Sequence, residues 1–149
     1  MVRIGIWEGS EGLAHRLAGS LPVPPVAGPH PALFSEGFFD LLLIAPGTSG
    51  WAGAGAIACR TALIPGSALP LTRILQAESA VSYGTSPKDT LTISSVEGRQ
   101  ICVALQRDVL TLAGATLERQ EFVLPFPAGE EPNLFLALTG ARLLLTGKP

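Results

Sequence analysis

The residues best equipped for chemistry in this chain fall in two loops. The first, Pro46-Gly47-Thr48-Ser49-Gly50-Trp51-Ala52-Gly53-Ala54-Gly55, follows an apolar run and carries hydroxyls and an indole but no charge. Loops that leave the carboxyl end of a strand are where open α/β sheets bind ligands. No Lys-Ser/Thr pair follows its glycines, so it is not a phosphate-gripping P-loop. The second, Tyr83-Gly84-Thr85-Ser86-Pro87-Lys88-Asp89-Thr90, gathers the chain's only tyrosine, hydroxyls, a lysine and an acid at another strand end. A rigid sheet holds such loops in place, which suits them to binding. The candidate ligand-binding residues are therefore Gly47, Thr48, Ser49, Gly50, Trp51, Tyr83, Ser86, Lys88 and Asp89. Each loop also has a plain structural reading. The first is a turn leading into tightly packed small residues; the second is a turn whose Pro87 presets φ.

Three other features have the residue types for chemistry but not the company. Gly5-Ile6-Trp7-Glu8-Gly9-Ser10-Glu11-Gly12 places glycines between a strand and a helix, where a phosphate could meet backbone amides. The spacing is G-x-x-x-G-x-x-G, and Glu8 and Glu11 would repel an anion, so a β-α turn is expected. Cys59 precedes Arg60, and a neighbouring cation can lower a thiol pKa. No base is placed to serve it, because His15 falls on the first helix and His30 in a proline-rich loop. A small buried hydrophobe is the plain reading of Cys59, and more so of Cys102 in an apolar run. Two histidines and scattered acids show no metal-ligand spacing, so no metal, no cofactor and no catalytic residue is assigned. Gln106-Arg107-Asp108 and Glu118-Arg119-Gln120-Glu121 read as a surface charge network facing each other across a hairpin.

The elements that must position these loops are legible from periodicity. Val2 to Trp7 reads as a buried strand. Ser10 reads as the N-cap of a helix carrying Leu13, Ala14, Leu17, Ala18 and Leu21. Residues 22–31 hold five prolines and read as loop. The run Asp40 to Ala45 stops at Pro46-Gly47, Thr61 to Ile64 stops at Pro65-Gly66, and Ser79 to Tyr83 stops at Gly84. Continuous apolar runs of this length suit strands covered on both faces. Residues 68–77 read as a short helix between the last two. After residue 84 the pattern changes. Thr90 to Ser94 alternates, Ile101 to Leu105 follows a Gly98 turn, Val109–Leu112 and Thr116–Glu118 suggest a tight antiparallel hairpin, and Phe122 to Leu124 ends at Pro125. Pro132 or Asn133 opens a closing helix with a stripe of Leu134, Ala137, Leu138, Ala141, Leu144 and Leu145. Gly147 caps it, and Phe135, Leu136 and Leu143 make it apolar nearly all round.

Composition bounds the rest. With 149 residues the chain reads as one domain spanning 1–149. Only 15% of it is charged and its net charge is −2, against nucleic-acid binding by bulk positive charge. Residues 41–59 carry no charge, but Pro46-Gly47 interrupts them, so no membrane span is expected. The opening residues lack a signal-peptide pattern and two cysteines make no disulfide framework, so a cytoplasmic location is expected.

The order of signals from residue 62 onward resembles part of a known family. Leu63-Ile64-Pro65, Val81-Ser82-Tyr83-Gly84, Asp89-Thr90-Leu91-Thr92, Val123-Leu124-Pro125-Phe126 and an Ala/Leu helix opened by Asn133 are similar to the C-terminal half of the Mur ligase central domain. Those enzymes join amino acids to peptidoglycan precursors with ATP. The resemblance implies an α/β fold and places Asn133 at the position that lies against adenine in that family, which adds it to the candidate ligand-binding residues. The family's G-T-N/K-G-K-S/T loop is missing, Glu130-Glu131-Pro132 stands where its His-Asn usually lies, and its amino-acid-binding third domain is missing. Ligase activity is therefore not implied. The run from Tyr83 to Gln106, with Leu105-Gln106-Arg107 and Gln120-Glu121-Phe122, also resembles small uncharacterised bacterial proteins, which implies no activity.

The expectation is a single α/β domain: a Rossmann-like parallel sheet in the first half, antiparallel strands in the second, and a C-terminal helix packed on the sheet. The expected function is a non-catalytic bacterial module binding a small molecule or a protein partner, with a wall- or sporulation-linked role. The alternatives are a structural homo-oligomeric subunit, using the apolar helix and low-charge surface as an interface, and an enzyme with Cys59 as nucleophile.

Overall fold

The computed structural model describes residues 1–48 and 55–149 of the chain, the side chains of 69–72 apart. Strand β1 (Ile4–Trp7) leads into the short helix α1 (Leu13–Arg16) and then edge strand β2 (Val26–Gly28). Strands β3 (Phe38–Ile44), β4 (Ile57–Pro65) and β5 (Leu75–Tyr83) follow, with a 3-10 stretch Gly66–Arg73 between the last two. Then come β6 (Leu91–Glu97), β7 (Gln100–Leu105), β8 (Val109–Leu110), β9 (Thr116–Leu117), β10 (Gln120–Pro125) and helix α2 (Pro132–Thr146). One eight-stranded sheet runs β10-β7-β6-β5-β4-β3-β1-β2, and β8 and β9 form a separate antiparallel pair. The expected α/β architecture is found, with β1 to β5 parallel and β6, β7 and β10 antiparallel.

Both faces of the parallel half are covered, which is why its strands read as unbroken apolar runs. On one face Ile4, Ile6, Leu41, Leu43, Leu63 and Val81 pack with Leu13 of α1, with Leu17 just after it, and with Leu136, Leu138, Ala141 and Leu144 of α2. On the other, Trp7, Phe34, Phe39, Leu42, Ile44, Ile57, Cys59 and Ile64 form a second cluster. Phe39 and Leu42 share that face although they stand three apart, as do Cys59 and Ala62. The ladder skips a row at Asp40, Arg60 and Glu78, so the inward and outward sets exchange there in all three strands.

Several local expectations need correction. The cap of α1 is not Ser10. The Glu8 carboxylate, 7% exposed, accepts the amides of Leu13 at 2.6 Å and Ala14 at 3.0 Å. The proline-rich loop contains β2, which pairs only with β1; prolines are tolerated around a strand with one free edge. Residues 75–77 belong to β5 rather than to a helix, and β4 begins at Ile57 rather than Thr61. There the pairing of Ile57 with Leu75 and Cys59 with Ala77 overrides weak local preference. The 109–117 hairpin and the closing helix stand as expected, with Gly147 at φ 77° ending α2.

The apolarity of α2 is accounted for inside the chain. The helix lies on the sheet, touches α1, and is met by the 109–117 hairpin, where Leu112 donates its amide to the Leu144 carbonyl at 2.9 Å. Its apolar surface is thus spent on the chain's own core. Among the described residues no helix is long and apolar enough to cross a membrane.

The junction of the two halves shapes the surface. β5 and β6 run parallel but pair only at Tyr83 and Leu91, so β6 begins where β5 stops. The antiparallel half therefore projects past the carboxyl edge of the parallel half. The turn 84–90 lies in that step.

Candidate functional site

Three adjacent parallel strands end in the same way at the carboxyl edge. β3 leads into Pro46-Gly47, β4 into Pro65-Gly66, and β5 into Tyr83-Gly84. Among the described residues nothing lies within 4 Å of where a Cβ on Gly47 would stand, while the space beside Gly66 and Gly84 is taken by the Asp89 carboxylate of the turn 84–90. The result is a cavity of about 400 Å³ lined by Pro46, Gly47, Pro65, Gly66, Ser67, Tyr83, Gly84, Thr85, Ser86, Lys88, Asp89 and Asn133. That volume falls within the range of roughly 300–1,000 Å³ of small-molecule sites.

Of the candidate binding residues, Gly47, Tyr83, Ser86, Lys88, Asp89 and Asn133 line this one cavity. Thr48 lies in the turn beside it, donating its amide to Ala45, and is not part of the lining. Ser49, Gly50 and Trp51 lie outside the described residues. Pro65, Gly66 and Ser67 were not singled out from sequence. Their signal was the recurrence of Pro-Gly at the end of β4, the same device that ends β3.

Hydrogen bonds tie the floor and back wall to the sheet and to the turn. The Tyr83 hydroxyl, fully buried, donates to the Ile44 carbonyl at 2.6 Å across β4. Burial pushes its pKa well above the ordinary tyrosine value, and the charges of Glu11 and Glu131 push the same way. Asp89 is 5% exposed, and its carboxylate accepts the Ser86 amide at 3.1 Å. It lies where a Cβ on Gly66 or Gly84 would have to be, so only glycine at these two positions admits it.

The residues that hold the turn come from further along the chain. Gln106 donates Nε2 to the carbonyls of Pro87 at 3.0 Å and Asp89 at 2.6 Å. Arg107 donates Nη1 to Thr90 Oγ1 at 2.9 Å and Nη2 to the Lys88 carbonyl at 3.0 Å. The expected charge network across the hairpin is thus replaced by a clamp on the turn 87–90. Of the 106–108 segment, only Asp108 reaches the other, accepting the Arg119 amide at 2.9 Å.

Both helix starts, of which α2 reaches the cavity through Asn133, have their first amides taken by carboxylates. Glu8 occupies the amides of α1, and Glu131 accepts the amides of Asn133 at 3.0 Å and Leu134 at 2.9 Å at the start of α2. Chain direction along the sheet reverses between β1 and β3, the usual ligand crevice of such folds. There the β1–β3 ladder continues past the strand ends, with Ala45 donating its amide to Trp7 at 2.9 Å. The open space lies farther along, over β3 to β5.

Cys59 is remote from this site and fully buried in the core of the opposite face. Burial first, and the charge of Glu78 second, push its pKa up to about 11. The Arg60 guanidinium does not help it, being turned to the Leu112 carbonyl at 2.9 Å. Thiol reagents are expected to label the half-buried Cys102 quickly in the native protein and Cys59 only on unfolding. Equal labelling of both would contradict the burial. Tyr83 and Cys59 both keep their protons to higher pH when folded than when unfolded. Their contribution to stability is complete below their ordinary values and is lost as pH rises toward the folded ones, about 11 for Cys59. Urea midpoints should therefore fall on the alkaline side, and phenolate absorbance should appear only together with unfolding. Phenolate in the still-folded protein would refute this.

Among the described residues no group of three His, Cys, Asp or Glu is placed to hold a metal ion. No protein-family model, curated protein or solved structure matches the chain.

Proposed function

We propose that this chain is a binding module that takes a small polar molecule in the cleft over the carboxyl ends of β3, β4 and β5. The observation that carries this is the convergence of three loops and the start of α2, distant in sequence, on one cavity. Binding is favoured over turnover by the state of the polar groups there. The Tyr83 proton is committed to Ile44, and Cys59 lies on the other face of the sheet. Asn133 lines the cavity, in keeping with the contact suggested by the Mur-ligase resemblance. The capped helix starts argue against an accompanying phosphate.

A ligand screen read by amide NMR tests this. Hits should move the amide signals of Gly47, Gly84 and Ser86 together. Hits that act elsewhere, or a screen with none, would overturn the proposal. Arg107→Ala should weaken binding about tenfold by loosening the turn, while costing about 1 kcal/mol of stability. Unchanged affinity would show that the clamp is irrelevant to binding.

A homo-oligomeric subunit is the second reading, now favoured by a different feature from α2. β5 has β4 along one edge, but beside residues 75–82 no strand among the described residues pairs with its other edge. Open edges invite pairing with another chain. Light scattering at micromolar concentration decides it, and a clean monomer removes it.

A further inference from the structure

The ligand's charge can be read from the wall of the same cavity, and this inference rests on the binding reading above. An ionised carboxylate offers about four acceptor sites, and a buried one left partly unfilled is costly. In Asp89, Oδ2 takes the Ser86 amide at 3.1 Å. Oδ1 lies against Gly66 and takes no hydrogen bond from any described residue. Asp89 is 5% exposed and belongs to the cavity lining.

The surroundings favour a cation as its partner. At the start of α2, where Asn133 lines the cavity, Glu131 occupies the amides that would otherwise attract an anion. Glu11 and Glu131 lie close enough to Tyr83 for their charges to act on it. Among the described residues, the one basic side chain in the lining, Lys88, is exposed and forms no ion pair. We propose that the cavity binds a small ligand through a primary ammonium group, with the Asp89 carboxylate as its counter-ion and Gly66 and Gly84 leaving room for that carboxylate in the wall. Lys88 is then free to meet an acceptor on the ligand's other end, which makes amino acids and their amides the fitting class.

Two isosteric probes test this on the unmodified protein. Glycinamide carries the ammonium group, and propionamide has a methyl in its place. Glycinamide should shift the amide signals of Gly66, Gly84 and Ser86 with at least about tenfold higher affinity than propionamide, and inorganic phosphate should not shift them. Asp89→Asn, which keeps an oxygen for the Ser86 amide, should remove that preference. Equal binding of the two probes, tighter binding of phosphate, or an undiminished preference in folded Asp89→Asn would overturn the proposal. The isostere comparison needs no variant, so it stands even if Asp89→Asn does not fold. If a neutral compound from the screen occupies these amides while glycinamide does not, the ammonium assignment fails and the binding reading survives. If no compound reaches them, both fail.

Discussion

Gly140→Leu is expected to cost about 3 kcal/mol of stability and to abolish binding in the cleft, whereas Gly140→Ala should change stability by less than about 1 kcal/mol. Gly140 is the point at which α2 comes down on the sheet. A Cβ there would stand 3.1 Å from one Leu63 methyl and 3.2 Å from the other and from a Leu91 methyl. Alanine needs those methyls to give only a few tenths of an ångström, and its gain in helix propensity offsets the strain. Leucine has nowhere to go, because Leu63, Leu91 and the helix face are all buried. The helix must lift, and with it Asn133 at the cavity rim. Urea midpoints at unchanged slope measure the stability part. A leucine variant as stable as alanine would mean that the helix does not sit this close.

Glu8→Ala is expected to cost about 2 kcal/mol, through a different kind of contact. Glu8 is one of few buried charged side chains, and each of its oxygens serves one amide of α1. Removing it leaves those amides without an acceptor at the positive end of a helix too short to hold itself. Hydrogen exchange at Leu13 and Ala14 should accelerate well beyond the global change. Glu8→Gln keeps an oxygen but loses the charge, and should fall between. If Glu8→Ala leaves the urea midpoint unmoved, the carboxylate is not the cap.

Local signals served well where an element's cause is local. Pro-Gly after Ala45 and after Ile64 ends a strand because proline gives up its amide and glycine takes the turn. Helix α2 carries its stripe, its start and Gly147 within one continuous segment. Glu8 was misread in part: it was seen to repel an anion from the α1 start, but not to fill that place itself. Its reach to Leu13 needs the turn through Gly12 at φ 75°, which spacing alone does not show. Strand β2 was hidden by its prolines because a strand's tolerance of them depends on whether an edge is free. Ile57 to Cys59 and Leu75 to Glu78 were hidden because their strand state comes from each other. Gln106 and Arg107 looked like surface charge, and their clamp on the turn exists only because β7 returns beside β6.

The chain's low charge, its alternating apolar runs and its closing helix determined by themselves that a parallel sheet gives way to antiparallel strands under a C-terminal helix. They also marked Gly47, Tyr83, Ser86, Lys88, Asp89 and Asn133 as residues of interest. Periodicity records which face of an element is buried, and that needs no knowledge of its neighbours. Only the tertiary structure decided that these residues share one cavity, that Asp89 is buried with an acceptor unfilled by any described residue, and that α2 is covered by its own chain. Those facts depend on strand order, on the step between β5 and β6, and on contacts across tens of residues, which no short window of sequence contains.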